Sequence, residues 1–396
     1  MGDDDLVTEA AGATSAGSGV SDDRAVGANA VEGAGDGLVS PAIGHRRNPA
    51  LDGCRGIAIV LVVLCHANIP LFHFGGTAGL TLFFVLSGYL ITSILLRERD
   101  GTGRVSFGAF YARRALRLLP ALVVAIAGGV VLMVAVGGHP STVVRAGIIS
   151  LFYGANLTEL AHKVDMTPFG DLWSLSMEEQ YYLIWPAVLM VALRFRRSRI
   201  VAGLALVGTA SVALRFVGPY SAVGYRRAYY LPHTNVWALL VGSALALVIT
   251  QRALAVPRWS GTVGLVGLTL VATVMGLRTG LHETAEPLTY FLRLLAGPIA
   301  AGFALLLVLA AISTDRAPAW LTHPILLFFG KISYGLYLWH AVLGASLAHK
   351  FPGGGVHGIA VGSFASGLAV IAAVLSNRYI EAPFLRRKVR FERTTT

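Results

Sequence analysis

Ten apolar runs of about twenty residues follow one another between residues 53 and 377, and they leave this chain few ways to fold. They lie at about 53–72, 78–96, 118–137, 179–194, 199–216, 234–250, 260–278, 293–313, 325–349 and 357–377. A helix needs about 20 apolar residues to cross a hydrocarbon layer of about 30 Å. In lipid every backbone N–H and C=O must be satisfied within the structure, which selects helices. The runs therefore predict an all-α, polytopic membrane helix bundle of about ten transmembrane helices. Composition agrees: 13% of residues are charged, against about 25% in a soluble protein, and the mean hydropathy is +0.66. A soluble protein with an oversized core is excluded, because the runs fill most of the chain beyond residue 50.

Charge divides the chain into three parts. Residues 1–48 hold eight acids and three arginines, and are Gly-, Ala- and Ser-rich with almost no aromatic residues. Such a segment cannot bury enough apolar surface to fold, so it is predicted to be a disordered cytoplasmic tail. Its acidic start lacks the apolar stretch of a signal peptide. Residues 49–386 form the membrane domain, and 387–396 a basic cytoplasmic tail. The net charge of +11 is −5 over residues 1–48 and +16 over the rest. In a membrane protein such basic charge is first a topology signal. With the N-terminus in the cytoplasm, the Arg97–Arg117 cluster falls inside. The Arg194–Arg199 cluster also falls inside if 143–160 is re-entrant or lies at the outer surface rather than spanning. Arg226 and Arg227 are left outside, against the rule. No nucleic-acid motif is present. Cys54 and Cys65 lie about 16 Å apart along one predicted helix, too far for a disulfide. No metal-ligand spacing occurs, so no metal is expected.

Ionisable residues inside apolar spans are costly and are functional candidates. Arg55 and His66 are eleven residues apart on the first run. Eleven steps of 100° bring them onto one helix face about 16 Å apart, with Arg55 near the cytoplasmic end and His66 near mid-membrane. A neutral imidazole in a dry site can take a proton from a hydroxyl, and the guanidinium can hold an anionic part of a long ligand. A packing histidine and an interfacial arginine fit the same pattern. Ser87-Gly88 in the second run suits close helix packing, and no GxSxG elbow surrounds Ser87. Arg113, Arg114 and Arg117 suit phosphate recognition as well as membrane orientation. Trp173-Ser174-Leu175-Ser176-Met177-Glu178-Glu179-Gln180-Tyr181-Tyr182 sets two acids at a predicted helix start, where they orient a hydroxyl, tune a histidine, or simply favour the helix N-terminus. His340 falls inside a late span, after Lys331-Ile332-Ser333-Tyr334-Gly335-Leu336-Tyr337-Leu338-Trp339, and is either a site residue or a histidine satisfied by a neighbouring helix.

Taken together, these segments resemble the acyltransferase-3 family of membrane proteins. Six motifs carry the resemblance, in one order over about residues 49–386. They are Leu51-Asp52-Gly53-Cys54-Arg55-Gly56 with His66, Phe83–Tyr89, Phe110-Tyr111-Ala112-Arg113-Arg114 with Arg117 and Pro120, Trp173–Gln180, Ile332–His340, and Tyr379-Ile380-Glu381-Ala382-Pro383-Phe384.

The resemblance implies a ten-helix core and transfer of an acyl group, acetyl or another short acyl, from acyl-CoA to a hydroxyl. The implied acceptor is a carbohydrate-containing one: a cell-envelope glycan, or a glycosylated natural product such as a macrolide. Within it, His66 deprotonates the acceptor hydroxyl or carries the acyl group. Arg55 joins Arg113, Arg114, Arg117 and Lys331 on the anionic donor. Glu178 and His340 complete the catalytic set, while Trp173, Ser174, Glu179 and Tyr182 contact the acceptor. The competing class is a transporter or flippase of a glycan or lipid-linked sugar, whose intramembrane charges line a path. No internal repeat supports an inverted-repeat transporter.

Overall fold

The structure, a computed structural model, describes residues 37–38, 48–217, 222–250, 254–281, 287–313 and 317–388. The expected N-terminal tail, apart from residues 37–38 and 48, lies outside the described residues, as does most of the C-terminal tail. Among the described residues fourteen α-helices follow in chain order. They are α1 Pro49–His66, α2 Gly75–Thr102, α3 Phe107–Ala135, α4 Pro140–Leu151, α5 Ala155–Ala161, α6 Trp173–Ala192 and α7 Arg197–Leu214. Then come α8 Ala222–Tyr230, α9 Pro232–Ile249, α10 Ser260–Leu281, α11 Pro287–Ile312, α12 Pro324–Lys350, α13 Gly355–Ser376 and α14 Ala382–Lys388. The described strands are β1, Gly37–Leu38, and β2, Ala255–Val256, paired antiparallel with Gly37 opposite Val256.

The fold is therefore an all-α membrane bundle, as expected. Among the described residues eight helical stretches are long and apolar enough to cross a membrane, two fewer than the ten runs suggest. The run at 179–194 lies in α6, whose first turns carry Glu178 and Glu179. The run at 260–278 lies in α10, where the described apolar stretch is Ser260–Val274. The segment 143–160 divides into α4 and α5, of 12 and 7 residues. At 1.5 Å per residue neither crosses a bilayer.

Helix boundaries also shift. The first run was expected to continue to residue 72, but α1 stops at His66. Asn68 takes a left-handed φ of 57° and Pro70 opens a separate 3₁₀ turn, so the helix cannot continue. His66 thus sits in the last turn of α1 and not in its middle. At the other end Asn48 caps the helix, its Oδ1 accepting from the Ala50 N–H at 2.9 Å, with Pro49 at the first helical position. α3 begins earlier than its apolar run, because Ser106 caps it. Arg113, Arg114 and Arg117 are consequently helical, and Arg114 and Arg117 face inward neighbours.

Small residues set the helix spacing. A Cβ on Gly53 would stand 1.8 Å from the Leu321 carbonyl oxygen, and one on Gly56 would stand 2.2 Å from that of Leu326. The Leu-Asp-Gly-Cys-Arg-Gly motif is thus the face by which α1 meets α12 and the 3₁₀ turn Ala319–Thr322 that precedes it. Gly88 does the same for α2 against α9, with a Cβ 1.9 Å from the Leu239 carbonyl oxygen. Such close approach drives packing where lipid removes the hydrophobic difference between inside and outside. Buried hydroxyls tie α2, α6 and α9 together: Thr92 donates to Ser243 at 2.9 Å, and the Trp185 indole donates to Thr92 at 2.8 Å. Large apolar side chains such as Val131, Leu183 and Leu206 point outward, as a lipid-facing surface requires.

Candidate active site

Two chambers lie in series along α1, and Leu80 and Tyr337 belong to the walls of both. The first, of about 150 Å³, surrounds Arg55 near the start of α1. The second, of about 350 Å³, surrounds His66 at its end. One helix therefore delivers its arginine to one chamber and its histidine to the other.

The histidine chamber is built on a pair absent from the sequence reading. The His66 Nδ1 lies 2.8 Å from the Val62 carbonyl oxygen. A carbonyl only accepts, so that nitrogen carries the proton of the neutral ring. This leaves Nε2, which lies 3.3 Å from Asp171 Oδ2. Asp171 sits in the 3₁₀ turn Gly170–Leu172 that leads into α6. Its carboxyl is ringed by protein yet opens on the chamber, with 40% of the side chain accessible. Burial pushes the carboxyl up, but the protonated form of His66 beside it, helped by His340, reverses that and holds it well below the usual carboxylate range. The Tyr337 hydroxyl fixes the turn by donating to the Asp171 carbonyl oxygen at 2.5 Å, and it meets Ser174 Oγ at 2.6 Å.

His340 joins this group. Its ring packs edge-on against His66 with centroids 4.8 Å apart, and its Nδ1 lies 3.1 Å from the Leu336 carbonyl oxygen. The other nitrogen, Nε2, is buried without a hydrogen-bond partner. Ligand-type atoms of His66, Asp171 and His340 all lie within 4.8 Å of one another. No metal-ligand spacing marked these residues in the sequence, since they come from three separate segments. Two imidazoles and a carboxylate are a donor set that suits a divalent transition ion. The same set is equally an acid–base pair backed by a second imidazole.

The arginine chamber is lined by Arg55, Arg114, Arg117, Ser174, Glu178, Glu179 and Tyr182. Arg114 grips Glu179 with both ends of its guanidinium, one contact at 2.8 Å from Nε to Oε2, and lies 3.3 Å over the Tyr182 ring. Ser87 and Tyr182 both donate to Glu178 Oε1. Arg55 has Asp52 at 3.5 Å. Arg117 makes no ion pair or hydrogen bond among the described residues and lines the chamber. Arg114 is held by Glu179 and Arg55 by Asp52, so Arg117 is the guanidinium this chamber offers to an anion.

The structure thus brings together most of the residues singled out in the sequence. Arg55, Arg114, Arg117, Ser174, Glu178, Glu179 and Tyr182 share one chamber. His66 and Trp173 line the other, and His340 touches His66. Arg113 stands apart, paired with Glu98 at 3.0 Å, and Lys331 is exposed on α12 and lines neither chamber. Reasoning from sequence missed Asp171, two residues before the Trp173 motif, where a lone acid in an otherwise apolar stretch was the available signal. It also missed the wall of Tyr225, Tyr229, Tyr230 and Arg293. The aromatic density of Tyr225–Tyr230 was visible, but nothing in the sequence placed it beside His66.

The fold and these chambers define a multi-pass membrane protein with a histidine–aspartate pair within its helix bundle, one chamber away from a cluster of guanidiniums. The chain belongs to the acyltransferase-3 family, whose profile, described as an acyltransferase domain, matches residues 48–378. Among similar proteins is the peptidoglycan O-acetyltransferase OatA of Listeria monocytogenes, 34% identical over 314 residues, which cover 74% of this chain and 48% of that protein. A Bacillus subtilis protein provisionally named peptidoglycan O-acetyltransferase YrhL is 34% identical over 75% of this chain and 48% of its own length. A Staphylococcus aureus protein provisionally named O-acetyltransferase is 30% identical over 87% of this chain and 58% of its own. The chain thus aligns with only about half the length of these relatives. No solved structure matches it.

Proposed function

We propose that the protein is a membrane O-acyltransferase that moves acetyl or another short acyl group from acyl-CoA to a hydroxyl of a cell-envelope glycan. The observation that carries this reading is the shared wall: the guanidinium chamber and the His66–Asp171 pair meet at Leu80 and Tyr337. A donor with an anionic head and a long thin arm can set its phosphates against the guanidiniums of the first chamber with its thioester directed toward the second. The names of the relatives favour an envelope glycan. A glycosylated small molecule such as a macrolide is the other acceptor class.

In this reading Arg55, Arg114 and Arg117 bind the phosphates of the donor. The neutral His66 takes the acceptor hydroxyl proton on Nε2, and Asp171 stabilises the resulting imidazolium. The hydroxyl oxygen bonds to the thioester carbonyl carbon, the C–S bond breaks, and the imidazolium returns its proton to the leaving thiolate. The products are the ester and the free thiol, and His66 is neutral again. Positive charge supports the orientation: Arg55, Arg97, Arg99, Arg104, Arg113, Arg114 and Arg117 gather where α1 begins, α2 ends and α3 starts. By the positive-inside rule this end faces the cytoplasm, where acyl-CoA is made, and the histidine chamber faces the far side.

The test is transfer by the purified protein in detergent, with acetyl-CoA and glycan fragments followed by mass spectrometry. Ester formation that His66→Ala abolishes, with the variant still monodisperse, is the expected result. Near-normal turnover by His66→Ala removes the assignment. Absence of both thioester cleavage and ester formation in the unaltered protein favours a transporter or flippase. Comparing the envelope and metabolites of a deletion strain separates a glycan acceptor from a glycosylated small molecule.

A further inference from the structure

A third hollow lies away from both chambers: a groove of about 1,040 Å³ walled by α6, α7 and α9. α7 packs along α9 while α6 lies against α2, so α6 and α7 leave a gap between them. Ile184, Val188 and Val191 line it from α6, and Leu204 and Val207 from α7. Its floor is dry. Tyr181 and Trp185 stack there with ring centroids 5.2 Å apart. Their polar atoms are already bonded, Tyr181 to Ser243 at 2.7 Å and Trp185 to Thr92 at 2.8 Å. Tyr181 to Ala192 rises about 16 Å along α6, the depth of one leaflet in a hydrocarbon layer of about 30 Å. A packed bundle does not leave a hollow of this size empty. An apolar wall offers water no hydrogen bonds, so the groove takes hydrocarbon.

One end of the groove is basic. Arg199 lines it there, beside the α6–α7 connection that carries Arg194 and Arg196. All three residues are exposed, and none of the three guanidiniums makes an ion pair or hydrogen bond among the described residues. Arg197 between them is occupied: it pairs with Asp100 at 3.7 Å, and its Nη1 donates to Thr250 Oγ1 at 2.6 Å. That contact sets the mouth of the groove beside the last turns of α2, at the end of the bundle where the basic residues gather. At the opposite end Gln180 donates to the Tyr153 carbonyl oxygen at 2.9 Å, and Asn235 to that of Tyr229 at 2.9 Å. The groove therefore has one end with free positive charge and one whose amides are already bonded.

We propose that this groove is a site for one anionic glycerophospholipid of the adjoining leaflet. Its phosphate lies at Arg199, with Arg194 and Arg196 beside it, and an acyl chain runs between α6 and α7 toward Tyr181. A guanidinium suits a phosphate, and basic side chains at the interface draw anionic lipids. A zwitterionic lipid offers the same chains under a headgroup of no net charge, so the arginines favour the anionic one. The site lies outside the acyl-transfer path. Its occupant braces α6, whose first turns carry Glu178 and Glu179.

The test is native mass spectrometry of the purified full chain in detergent, titrated with phosphatidylglycerol or with phosphatidylcholine of the same acyl chains. Phosphatidylglycerol is expected to bind as a single copy and roughly tenfold more tightly. In Arg199→Gln the ratio of the two affinities should fall to about one. Arg145, exposed on α4 outside the groove, serves as the control: Arg145→Gln should leave the ratio unchanged. Gly203 lines the groove, and a Cβ there meets nothing within 4 Å. Gly203→Leu therefore fills the groove without displacing protein, and should weaken both lipids. Equal affinities in the unaltered protein, a preference that survives Arg199→Gln, or unchanged binding in monodisperse Gly203→Leu each overturn the proposal. So does tighter binding of a polyisoprenyl phosphate than of phosphatidylglycerol, or a dimer that Gly203→Leu dissolves, since each names a different occupant.

Discussion

Replacing Asp171 by asparagine tests the His66 pair most directly, because the side chain keeps its shape and loses only its charge. In the proposed step His66 becomes an imidazolium 3.3 Å from the carboxylate. At that distance the attraction is about 5 kcal/mol at an effective dielectric of about 20, and about 1 kcal/mol in water. The two side chains are 34% and 40% accessible, so the setting lies between these limits. An intermediate value of about 3 kcal/mol corresponds to roughly a hundredfold in kcat. The assay is single-turnover transfer from acetyl-CoA to a glycan fragment at saturating donor, with monodispersity as the folding control. Because both residues act through one proton, Asp171→Asn combined with His66→Ala should be no slower than His66→Ala alone. A kcat for Asp171→Asn within about threefold of the unaltered protein, or losses that add in the double variant, would refute the pairing.

Asp171 also predicts an acid limb in stability. Its folded carboxyl is held below its ordinary value of about 3.9, so its contribution is present above that pH and fades as pH falls toward the folded value. Thermal melting in detergent should show a steeper drop below about pH 4 for the unaltered protein than for Asp171→Asn. Arg117→Ala removes the guanidinium that has no partner among the described residues; the donor KM should rise about tenfold or more with kcat nearly unchanged, and an unchanged KM in initial-rate measurements takes Arg117 out of the donor site. Gly53→Ala puts a methyl group 1.8 Å from the Leu321 carbonyl oxygen. Such overpacking costs roughly 1–3 kcal/mol or more, so fluorescence-detected size exclusion should show loss of the monodisperse peak. Chelation with EDTA should leave turnover unchanged if His66 and Asp171 work as an acid–base pair; a loss restored by one divalent metal would instead make His66, Asp171 and His340 a metal site.

The apolar runs determined the membrane bundle without help from the structure, because a twenty-residue apolar stretch has one stable form in lipid. Sequence spacing also put Arg55 and His66 on one face of α1, since the helical period is a local property. Gly53, Gly56 and Gly88 were legible as small residues, and Gly88 packs against α9 as read, whereas Ser87 beside it lines the arginine chamber and donates to Glu178. Tertiary structure decided what those residues face. It closed α1 at His66 through the left-handed Asn68 and Pro70, which moved the histidine to the helix end. It carried Asp171 across 105 positions of sequence to His66, turned Arg113 away to Glu98, and left Lys331 outside both chambers. Period and hydropathy are written along one chain segment. A chamber is made by segments that are distant in sequence, and their mutual placement exists only once the helices have packed.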